Sequence, residues 1–584
     1  MLKFFNPFTT YPVAKNMRAC RKMESTIVKL ILPPLHALLL FMSYIALVND
    51  LKAKVLIVVR GVRNVEELYI LFPFTREIIL ILMVPLIAVY VFKYNKRTFL
   101  TLIAMIIAIL SYVFSTPFVI PIMALMMIML ISLDRRVVSE PREHFKRIVE
   151  AEAIVVTVIS TYSIIRYFLY FILGGEMFKD PSWVIVELHM KLITSLQLLN
   201  MITYALMPIV TLFSLIKIKE GNDKPSEWLS KKQSLFILLA SIMLVIFQSS
   251  MIFSPIINPK GLLIGVDTLY YKTCLQRIIW RGPQEVLTLS PARSLYLLLM
   301  YAVWYSLRLK PKIVVQLMPL MLFPLLTLSS YFMVLKLTNS HTIAALSSLL
   351  LVTSPQITVY TYASFQANIL GLAIMYSVIA TYYAKNKYAP LWTLITSLLM
   401  QFIHPWTAAH VLIFFTLFIF FTRKYKSKYD LTVVIMMLIG IIVGDQLKML
   451  LIGSTTEATA DLAERYAKVT IFRAVENVFA FPQTLCRIVT SYCNGFLNYP
   501  LSILVLFSQL KTSFQMARFE ASWILPLMVM YISPRSYTPR LILNMPTHAF
   551  IGLLLSKFRR NKILVTSVIT LSMSYSLACI TNLT

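Results

Sequence analysis

Apolar residues form long runs along this chain, and short polar stretches separate one run from the next. A helix that crosses a bilayer needs about twenty such residues, because each backbone N–H and C=O in hydrocarbon must be satisfied within its own segment. The pattern lacks the alternation of β-strands, so it predicts an all-α, polytopic bundle of about 17 transmembrane helices. The predicted spans lie near 26–48, 77–92, 98–115, 116–133, 151–173, 192–216, 233–253, 294–308, 313–336, 341–360, 366–383, 389–422, 431–452, 495–510, 520–532, 541–557 and 563–580.

Two details of the pattern refine this prediction. The long run at 389–422 contains the sequence HPWT, and proline breaks the hydrogen-bond ladder of a helix. We therefore expect either one broken helix or a pair of half-helices there. The chain opens with a basic stretch, and its first apolar run is too late and too long for a cleavable signal peptide. We expect insertion through the first span itself.

Composition agrees with a membrane protein, since 58% of the 584 residues are hydrophobic and the mean hydropathy is +0.76. The net charge of +30 would suit a nucleic-acid partner, but its distribution favours a membrane topology instead. The cations concentrate in short segments between spans: KYNKR, DRRVVSEPREHFKR, KIKEGNDKPSEWLSKK, RLKPK, RKYKSKYD and KFRRNK. With a cytoplasmic N-terminus all six fall on the cytoplasmic side, as the positive-inside rule requires.

This topology places the remaining long loops and the C-terminus on the extracytoplasmic side. The outer loops are 49–76, 174–191, 254–293, 453–494 and 533–540. The basic segment KNK at 385–387 also falls outside, so the region 337–388 fits the rule least well. The charged, turn-rich segment 217–232 is the predicted boundary between an N-terminal module, 1–230, of about six spans and a second module, 231–584. The second module holds nearly all the long outer loops, so we expect any chemistry there.

Cysteine and histidine add little to this picture. Cys274, Cys486 and Cys493 lie in predicted outer loops, where a disulfide is chemically permitted, but their spacing indicates no pairing. The alternative is that they are ordinary small apolar side chains. Cys and His positions also lack metal-ligand spacing, so a metal or other cofactor stays open.

The segment Gly265–Ile278, GVDTLYYKTCLQRI, gathers polar side chains in a predicted outer loop. Pro259 and Gly261 end the preceding helix, and apolar residues at helical spacing then predict a short amphipathic helix, beginning near Thr268, along the membrane surface. Asp267 stands at its start as a candidate general base. The alternative is that Asp267 is the helix N-cap, its carboxylate accepting a backbone N–H, and the two roles are compatible.

Four further residues of this segment are candidates for the same site. Tyr270 and Tyr271 would form its walls, and Lys272 or Arg277 would meet a phosphate group. An ionised carboxylate fixed at the start of a helix would accept a proton in a repeatable position.

Two ionisable residues within the apolar runs are also candidates for site-lining positions. His404 precedes Pro405 in HPWT, and an ionisable group at membrane depth is a functional hypothesis by default. The alternative is a kinked helix with a satisfied histidine. Asp445 lies near an outer helix end, three residues before Lys448, where a local ion pair is the alternative to a functional role.

Arg535 and Arg540 flank the sequence SYTP just before LILNMP. Arginine is always charged and holds phosphate through a bidentate fork, so these residues suit a lipid-linked phosphate at the outer mouth of the bundle. The alternative is an interfacial cation that anchors the helix by snorkelling.

Three of these stretches, GVDTLYY, HPWT and RLILNMP, resemble archaeal members of the GT-C superfamily of membrane glycosyltransferases, over about 231–584. Those enzymes transfer sugars from polyprenyl-phosphate or polyprenyl-diphosphate donors on the outer membrane face. The resemblance implies a GT-C-like module, a polyprenyl-linked sugar donor, and a glycan, lipid or protein acceptor. It matches the family's acidic residue of the first outer loop to Asp267. It matches the late arginine that holds the donor phosphate to Arg540 or Arg535.

The chain departs from the family pattern in two ways. About seven predicted spans precede Asp267, whereas the family's acidic loop follows its first span. The paired acids that bind metal in some members have no counterpart, so divalent-metal dependence stays open and a non-catalytic scaffold in envelope assembly is one alternative. A transporter or lipid flippase is the other, with Arg166, His404 and Asp445 lining a path, although the sequence shows no inverted repeat.

Overall fold

The computed structural model describes residues 197–217, 227–255, 258, 261–421, 428–452, 499–511, 514–528, 538–558 and 561–581, and part of 150–169. The chain forms two compact units, Met1–Ile159 and Ser160–Thr584, and nearly all the described residues belong to the second. They are helical, with no strand among them. Several predictions fall outside the described residues: the first four spans, the outer loops 49–76, 174–191 and 453–494, and the side chains of Cys486, Cys493, Arg166, Arg535 and Pro259.

The described helices are numbered here in chain order. They are α1 (Gln197–Lys217), α2 (Lys231–Met251), α3 (Thr268–Arg281), α4 (Glu285–Leu289), α5 (Ser294–Leu307), α6 (Pro311–Thr338), α7 (His341–Val352), α8 (Pro355–Ala363), α9 (Gln366–Tyr383), α10 (Ala389–Ile403), α11 (Pro405–Phe421), α12 (Lys428–Ile452), α13 (Ser502–Lys511), α14 (Phe514–Ile524), α15 (Thr538–Asn544), α16 (Thr547–Ser556) and α17 (Lys562–Thr581). Short 3₁₀ turns at Pro291–Arg293 and Leu525–Met528 precede α5 and follow α14.

Five described helices are long and apolar enough to cross a membrane. They are Lys231–Met251, Pro311–Thr338, His341–Thr361, Lys428–Leu451 and Lys562–Ile580, of which the third covers α7 and most of α8 as one stretch. Helices α2 and α12 leave large apolar side chains such as Phe236 and Leu450 exposed, as a lipid-facing surface does. The helix lengths and composition are thus those of a helical membrane protein. The total of about 17 spans and the GT-C architecture stay predictions.

Two contacts define the two ends of the helical bundle. At one end, here called the Asp267 end, the backbone N–H of Asp267 donates to the carbonyl of Ala363, the last residue of α8, at 3.1 Å. At the other, the Glu227 end, the carboxylate of Glu227 accepts from the backbone N–H of His341, the first residue of α7, at 2.8 Å. The α7–α8 pair therefore runs from the Glu227 end to the Asp267 end.

Helix α5 starts and finishes at the Asp267 end. Arg293, just before α5, forms an ion pair with Asp267 at 3.1 Å. Helix α6, which follows α5, also begins there, because Lys312 donates to the carbonyl of Gly261 in the same loop. The 14 residues of α5 extend about 21 Å, less than the ~30 Å hydrocarbon core.

The span predicted at 294–308 is therefore wrong. Its apolar side chains made it look like a membrane crossing, but the run is too short and both of its ends meet the same loop. The segment RLKPK, 308–312, consequently lies at the Asp267 end and not at the opposite end, where the sequence placed it. Because one membrane crossing is removed, each later segment lies on the side opposite to the predicted one, until a second error in the list of spans reverses it again.

This correction resolves the misfit at KNK. Helices α6 and α9 pack along each other and begin side by side, where Gln366 donates to the carbonyl of Val315 at 3.1 Å. Helix α9 ends at the Glu227 end, where Tyr382 donates to Asp430 at 2.9 Å. The prediction that 385–387 lies with the outer loops is thus wrong. This segment shares the Glu227 end with 227–232.

The run 389–422 forms two helices, which is the second of the two predicted forms. His404 separates α10 from α11 with φ −163° and ψ 87°, outside the helical region. Helix α10 begins at the Glu227 end, where α9 finishes. Helix α11 runs back to the same end, where Phe415 and Phe418 pack edge-on against Tyr382. The chain therefore reverses direction at His404.

Helix α1 packs on α13 and α14. The hydroxyl of Ser502 donates to the side-chain oxygen of Asn200 across this contact. Residues from before and after the segment 217–232 are thus in contact, and the module boundary predicted there stays a prediction.

Candidate functional site

The loop that carries Asp267 is held tightly against the α8–α9 junction. Gly265 has φ +110°, a conformation that favours glycine, and a Cβ atom there would lie 2.6 Å from the Cβ of Ser364. Two residues after Gly265, the backbone N–H of Asp267 donates to the carbonyl of Ala363. The sequence GVD thus brings the backbone of Asp267 against the end of α8.

Asp267 is the residue before the first turn of α3, which begins at Thr268 as predicted. Its side chain makes no capping hydrogen bond, so the predicted N-cap role of the carboxylate is wrong. Instead, Arg293 donates to Oδ2 of Asp267 at 3.1 Å, with the two side chains 26% and 23% exposed. The carboxylate is therefore fixed by a cation from a different segment and not by the dipole of its own helix.

The two tyrosines of the segment surround this ion pair. The guanidinium of Arg293 lies 5.4 Å from the ring centre of Tyr270 and 5.6 Å from that of Tyr271, and it donates to the Tyr271 hydroxyl at 3.2 Å. Burial raises the pKa of both phenols to about 12, so both stay neutral at physiological pH. Burial alone would lower the pKa of Arg293, but neighbouring Tyr271 and Asp267 outweigh it and raise that pKa. A cation, a carboxylate and two phenols are thus held together.

A second set of polar contacts connects this cluster to the helices below it. Tyr271 packs edge-on against Tyr296, with ring centres 5.2 Å apart. The Tyr296 hydroxyl donates to Oε1 of Gln366, whose Nε2 donates to Ser364 at 3.0 Å. Helices α3, α5 and α9 are therefore joined beneath Asp267, and the cluster rests on packed elements.

His404 lies in a buried chain of hydrogen bonds. Thr407 donates its hydroxyl proton to Oδ1 of Asn368 at 2.5 Å, so its oxygen is left to accept from Nδ1 of His404 at 2.7 Å. Asn368 in turn donates through Nδ2 to Oδ1 of Asn544 and to the Tyr360 hydroxyl, both at 3.2 Å. The proton of the neutral imidazole is thereby assigned to Nδ1, which leaves Nε2 as the acceptor.

This chain joins two of the stretches that carried the resemblance. His404 belongs to HPWT and Asn544 to RLILNMP, and Asn368 at the start of α9 connects them. Gln366, two residues before Asn368, accepts from the Tyr296 hydroxyl that lies beneath Tyr271 of GVDTLYY, so all three stretches connect to the start of α9.

The remaining predicted site residues lie away from these contacts. Arg277 is exposed and Lys272 half-buried on α3, and neither contacts Asp267 among the described residues. Asp445 is half-buried on α12, and the ion pair predicted with Lys448 is not formed between these two described residues. The ammonium of Lys448 lies 5.7 Å from the ring centre of Phe402 instead.

Sequence reasoning missed Arg293, Asn368 and Asn544. Arg293 stands 26 positions from Asp267 in the chain, in the unremarkable sequence SPARS, so no spacing rule pairs them. Asn544 was within a quoted stretch, where an amide beside a proline in an apolar run is a usable signal of a buried polar contact. Asn368 gave no signal of its own.

The structure gives no support for a metal centre in the part of the chain that it describes. No group of three or more His, Cys, Asp or Glu side chains there is placed to hold a metal ion. Cys274 is buried on α3 with a free thiol. No protein-family model matches the chain, and no curated protein matches it either.

Proposed function

We propose that this protein is a membrane glycosyltransferase that moves a sugar from a polyprenyl-phosphate donor to an acceptor on the extracytoplasmic face. The acceptor is a glycan, a lipid or a protein. The fold class and the resemblance of GVDTLYY, HPWT and RLILNMP to GT-C enzymes suggest the reaction. The observation that carries the proposal is that these three stretches connect to the start of α9, Tyr271 through Tyr296 and Gln366, and His404 and Asn544 through Asn368.

The proposed reaction needs a proton acceptor at the acceptor hydroxyl and cations at the donor phosphate. The acceptor oxygen attacks the anomeric carbon of the sugar, and the bond from that carbon to the phosphate oxygen breaks. Polyprenyl phosphate leaves with the bonding electron pair, and the hydroxyl proton passes to the carboxylate of Asp267. Arg540, with Arg535 in support, would hold the leaving phosphate through its guanidinium fork.

Arg293 and His404 extend the roles that the sequence suggested. Arg293 keeps the Asp267 carboxylate in one orientation, since it donates to Oδ2 and to the Tyr271 hydroxyl together. His404 offers Nε2 as a hydrogen-bond acceptor, because Nδ1 is used by Thr407. A sugar hydroxyl is the kind of donor that suits this nitrogen.

The extracytoplasmic assignment of the Asp267 end rests on the basic segments. Among the described residues, the Glu227 end carries Lys231, Lys232, Lys385, Lys387, Lys428 and Lys557. The last of these follows α16, which runs toward that end where Gly552 packs against Ser347 of α7. With the positive-inside rule, the Glu227 end is cytoplasmic.

A specific observation favours a transporter or flippase as the second candidate. Glu520 on α14 is 1% exposed, and His410 on α11 is 3% exposed with no hydrogen-bond partner for either ring nitrogen among the described residues. His410 packs edge-on against Trp523, one turn from Glu520 on α14, with ring centres 5.0 Å apart. Ionisable groups inside a membrane bundle commonly mark a proton or substrate path.

Donor binding tests the proposal and separates it from the second candidate. Arg540→Lys keeps the charge but loses the fork, so the affinity for a polyprenyl-phosphate sugar should weaken, and Arg540→Ala should weaken it further. Glu520→Gln should leave that affinity unchanged. Unchanged donor binding in Arg540→Ala would return Arg540 to an anchoring role at the interface.

A further inference from the structure

The Asp267 end carries more basic residues than the proposed reaction uses. The region 261–312 contains seven cations and two carboxylates. Both carboxylates are already paired, Asp267 with Arg293 at 3.1 Å and Glu285 with Arg281 at 3.6 Å. An excess of positive charge at the end opposite the basic cytoplasmic segments runs against the positive-inside rule. It therefore calls for a local anionic partner.

The arginine at the C-terminus of α5, Arg308, is held by an aromatic cluster. The guanidinium of Arg308 lies 4.3 Å from the ring centre of Tyr305 and 5.1 Å from that of Trp304. Tyr301 packs against both rings, with centres 5.5 Å and 6.2 Å away. Arg308 also has φ 53°, a left-handed conformation that is uncommon for a residue other than glycine. The guanidinium is thus pre-positioned on the rings of Trp304 and Tyr305, and Tyr301 packs against both rings.

The exposed face of the same region is apolar and aromatic. Tyr305 and Leu307 of α5 are more than half exposed, and on α3 Leu269 is 62% and Trp280 80% exposed. Helix α5 does not cross the bundle, so this face does not lie in the centre of a bilayer. Tryptophan, tyrosine and basic residues together are typical of helices that lie at the level of the lipid headgroups.

We propose that α3, α5 and the segment 308–312 form a surface that binds the phosphate headgroups of anionic bilayer lipids. Arg308 and Lys310 are exposed and meet the phosphates, while the rings of Trp304 and Tyr305 lie among the glycerol groups. Lys312 is engaged by the carbonyl of Gly261 and holds the Asp267 loop to the same surface. This surface is independent of the transfer reaction, and it keeps the polar cluster at headgroup depth.

The experiment places a fluorescent label on the surface and measures which lipid lies beside it. The full chain, with its native cysteines replaced by alanine, carries the label on Ser306→Cys, an exposed position next to Tyr305. It is reconstituted with phosphatidylcholine and phosphatidylglycerol, either of which bears a quencher near the headgroup or deep in the acyl chain. A label on Ile439→Cys, 41% exposed on α12, serves as the control position.

At Ser306→Cys we expect shallow-quencher phosphatidylglycerol to quench about thirtyfold better per bound lipid than phosphatidylcholine, the factor that about 1 kcal/mol for each of the two cations gives. Arg308→Gln with Lys310→Gln should bring this ratio close to one, and added salt should lower it in the unsubstituted chain. The ratio at Ile439→Cys should stay near one throughout. Equal quenching by the two lipids, stronger quenching from the deep position, or no quenching because a second copy of the chain covers the label would each overturn the proposal.

Discussion

The guanidinium of Arg293 donates to the carboxylate of Asp267 at 3.1 Å, and this contact joins two segments that are 26 positions apart in the chain. It holds the start of α5 beside the start of α3, although the two residues belong to segments that the sequence treats as unrelated. Arg293 also fixes the Asp267 carboxylate, which was expected to be held by the backbone N–H groups of α3.

The first prediction concerns the coupling between these two residues. Arg293→Gln and Asp267→Asn should each lower the free energy of unfolding slightly, because each removes the opposite charge from a half-buried partner even where a neutral hydrogen bond to it is kept. A double-mutant cycle in detergent should give a coupling of about 1 kcal/mol, since both side chains are about a quarter exposed and water screens them. Strictly additive effects would mean that the ion pair contributes nothing to the fold.

The second prediction concerns which residues share an end. A cysteine at Lys310 should react with an impermeant thiol reagent in intact cells, whereas a cysteine at Lys387 should be protected, because α5 does not cross the bundle. Both side chains are exposed, so accessibility differs only by side. Cysteines near residues 225 and 426 should also be protected and one near 262 should react. Protection at 310 together with labelling at 387 would restore the span at 294–308.

The third prediction concerns a glycine at a helix contact. A Cβ on Gly440 of α12 would lie 2.0 Å from Oγ of Ser397 and 2.5 Å from the carbonyl oxygen of Leu394 on α10. Gly440→Val should therefore lower the free energy of unfolding by about 1–3 kcal/mol through overpacking. Ile439→Val, on the exposed face of the same helix, is the matched control and should have little effect. Equal stability of the two variants would argue against the close approach of α10 and α12.

The fourth prediction concerns pH and Glu227. Burial alone would raise the pKa of Glu227, but hydrogen bonds from the Thr342 hydroxyl at 2.8 Å and from the backbone N–H groups of His341 and Thr342 lower it. A depressed folded-state pKa contributes stability above the unfolded pKa of about 4.3 and loses it as pH falls through the folded value.

Glu227→Gln should therefore lower the thermal midpoint at pH 7, and its difference from the unsubstituted chain should shrink as the pH falls below about 4. Lys232→Gln, an exposed change at the same end, is the control. A difference that grows on acidification would have the wrong sign for this contact.

The sequence predicted well where one local signal decides the structure. The helix at Thr268, the two helices within 389–422 and the membrane-length apolar helices all follow from periodicity, proline and run length. The prediction at 294–308 was wrong because hydropathy alone does not distinguish a crossing helix from a short apolar helix that lies at one end. The misfit of KNK at 385–387 was the available warning.

The candidate site was predictable only in part. Asp267 and His404 gave signals because charge and proline are unusual in such a chain, and both lie in polar clusters at the Asp267 end. Their partners did not, since Arg293 and Asn368 are brought near by tertiary packing and not by spacing along one helix. The cap role assigned to Asp267 was wrong because a cation from another segment binds its carboxylate in place of the backbone N–H groups.

The most direct measurement of the central proposal is sugar transfer by Asp267→Asn. Asparagine keeps an oxygen that accepts from Arg293 but is a very poor base, so the variant should accumulate normally while transfer from a polyprenyl-phosphate sugar falls by about 10²–10⁴. Glu285→Gln removes a carboxylate at the same end and should leave transfer unchanged. Full transfer activity in Asp267→Asn would contradict the catalytic role and leave the ion pair with Arg293 as a structural contact.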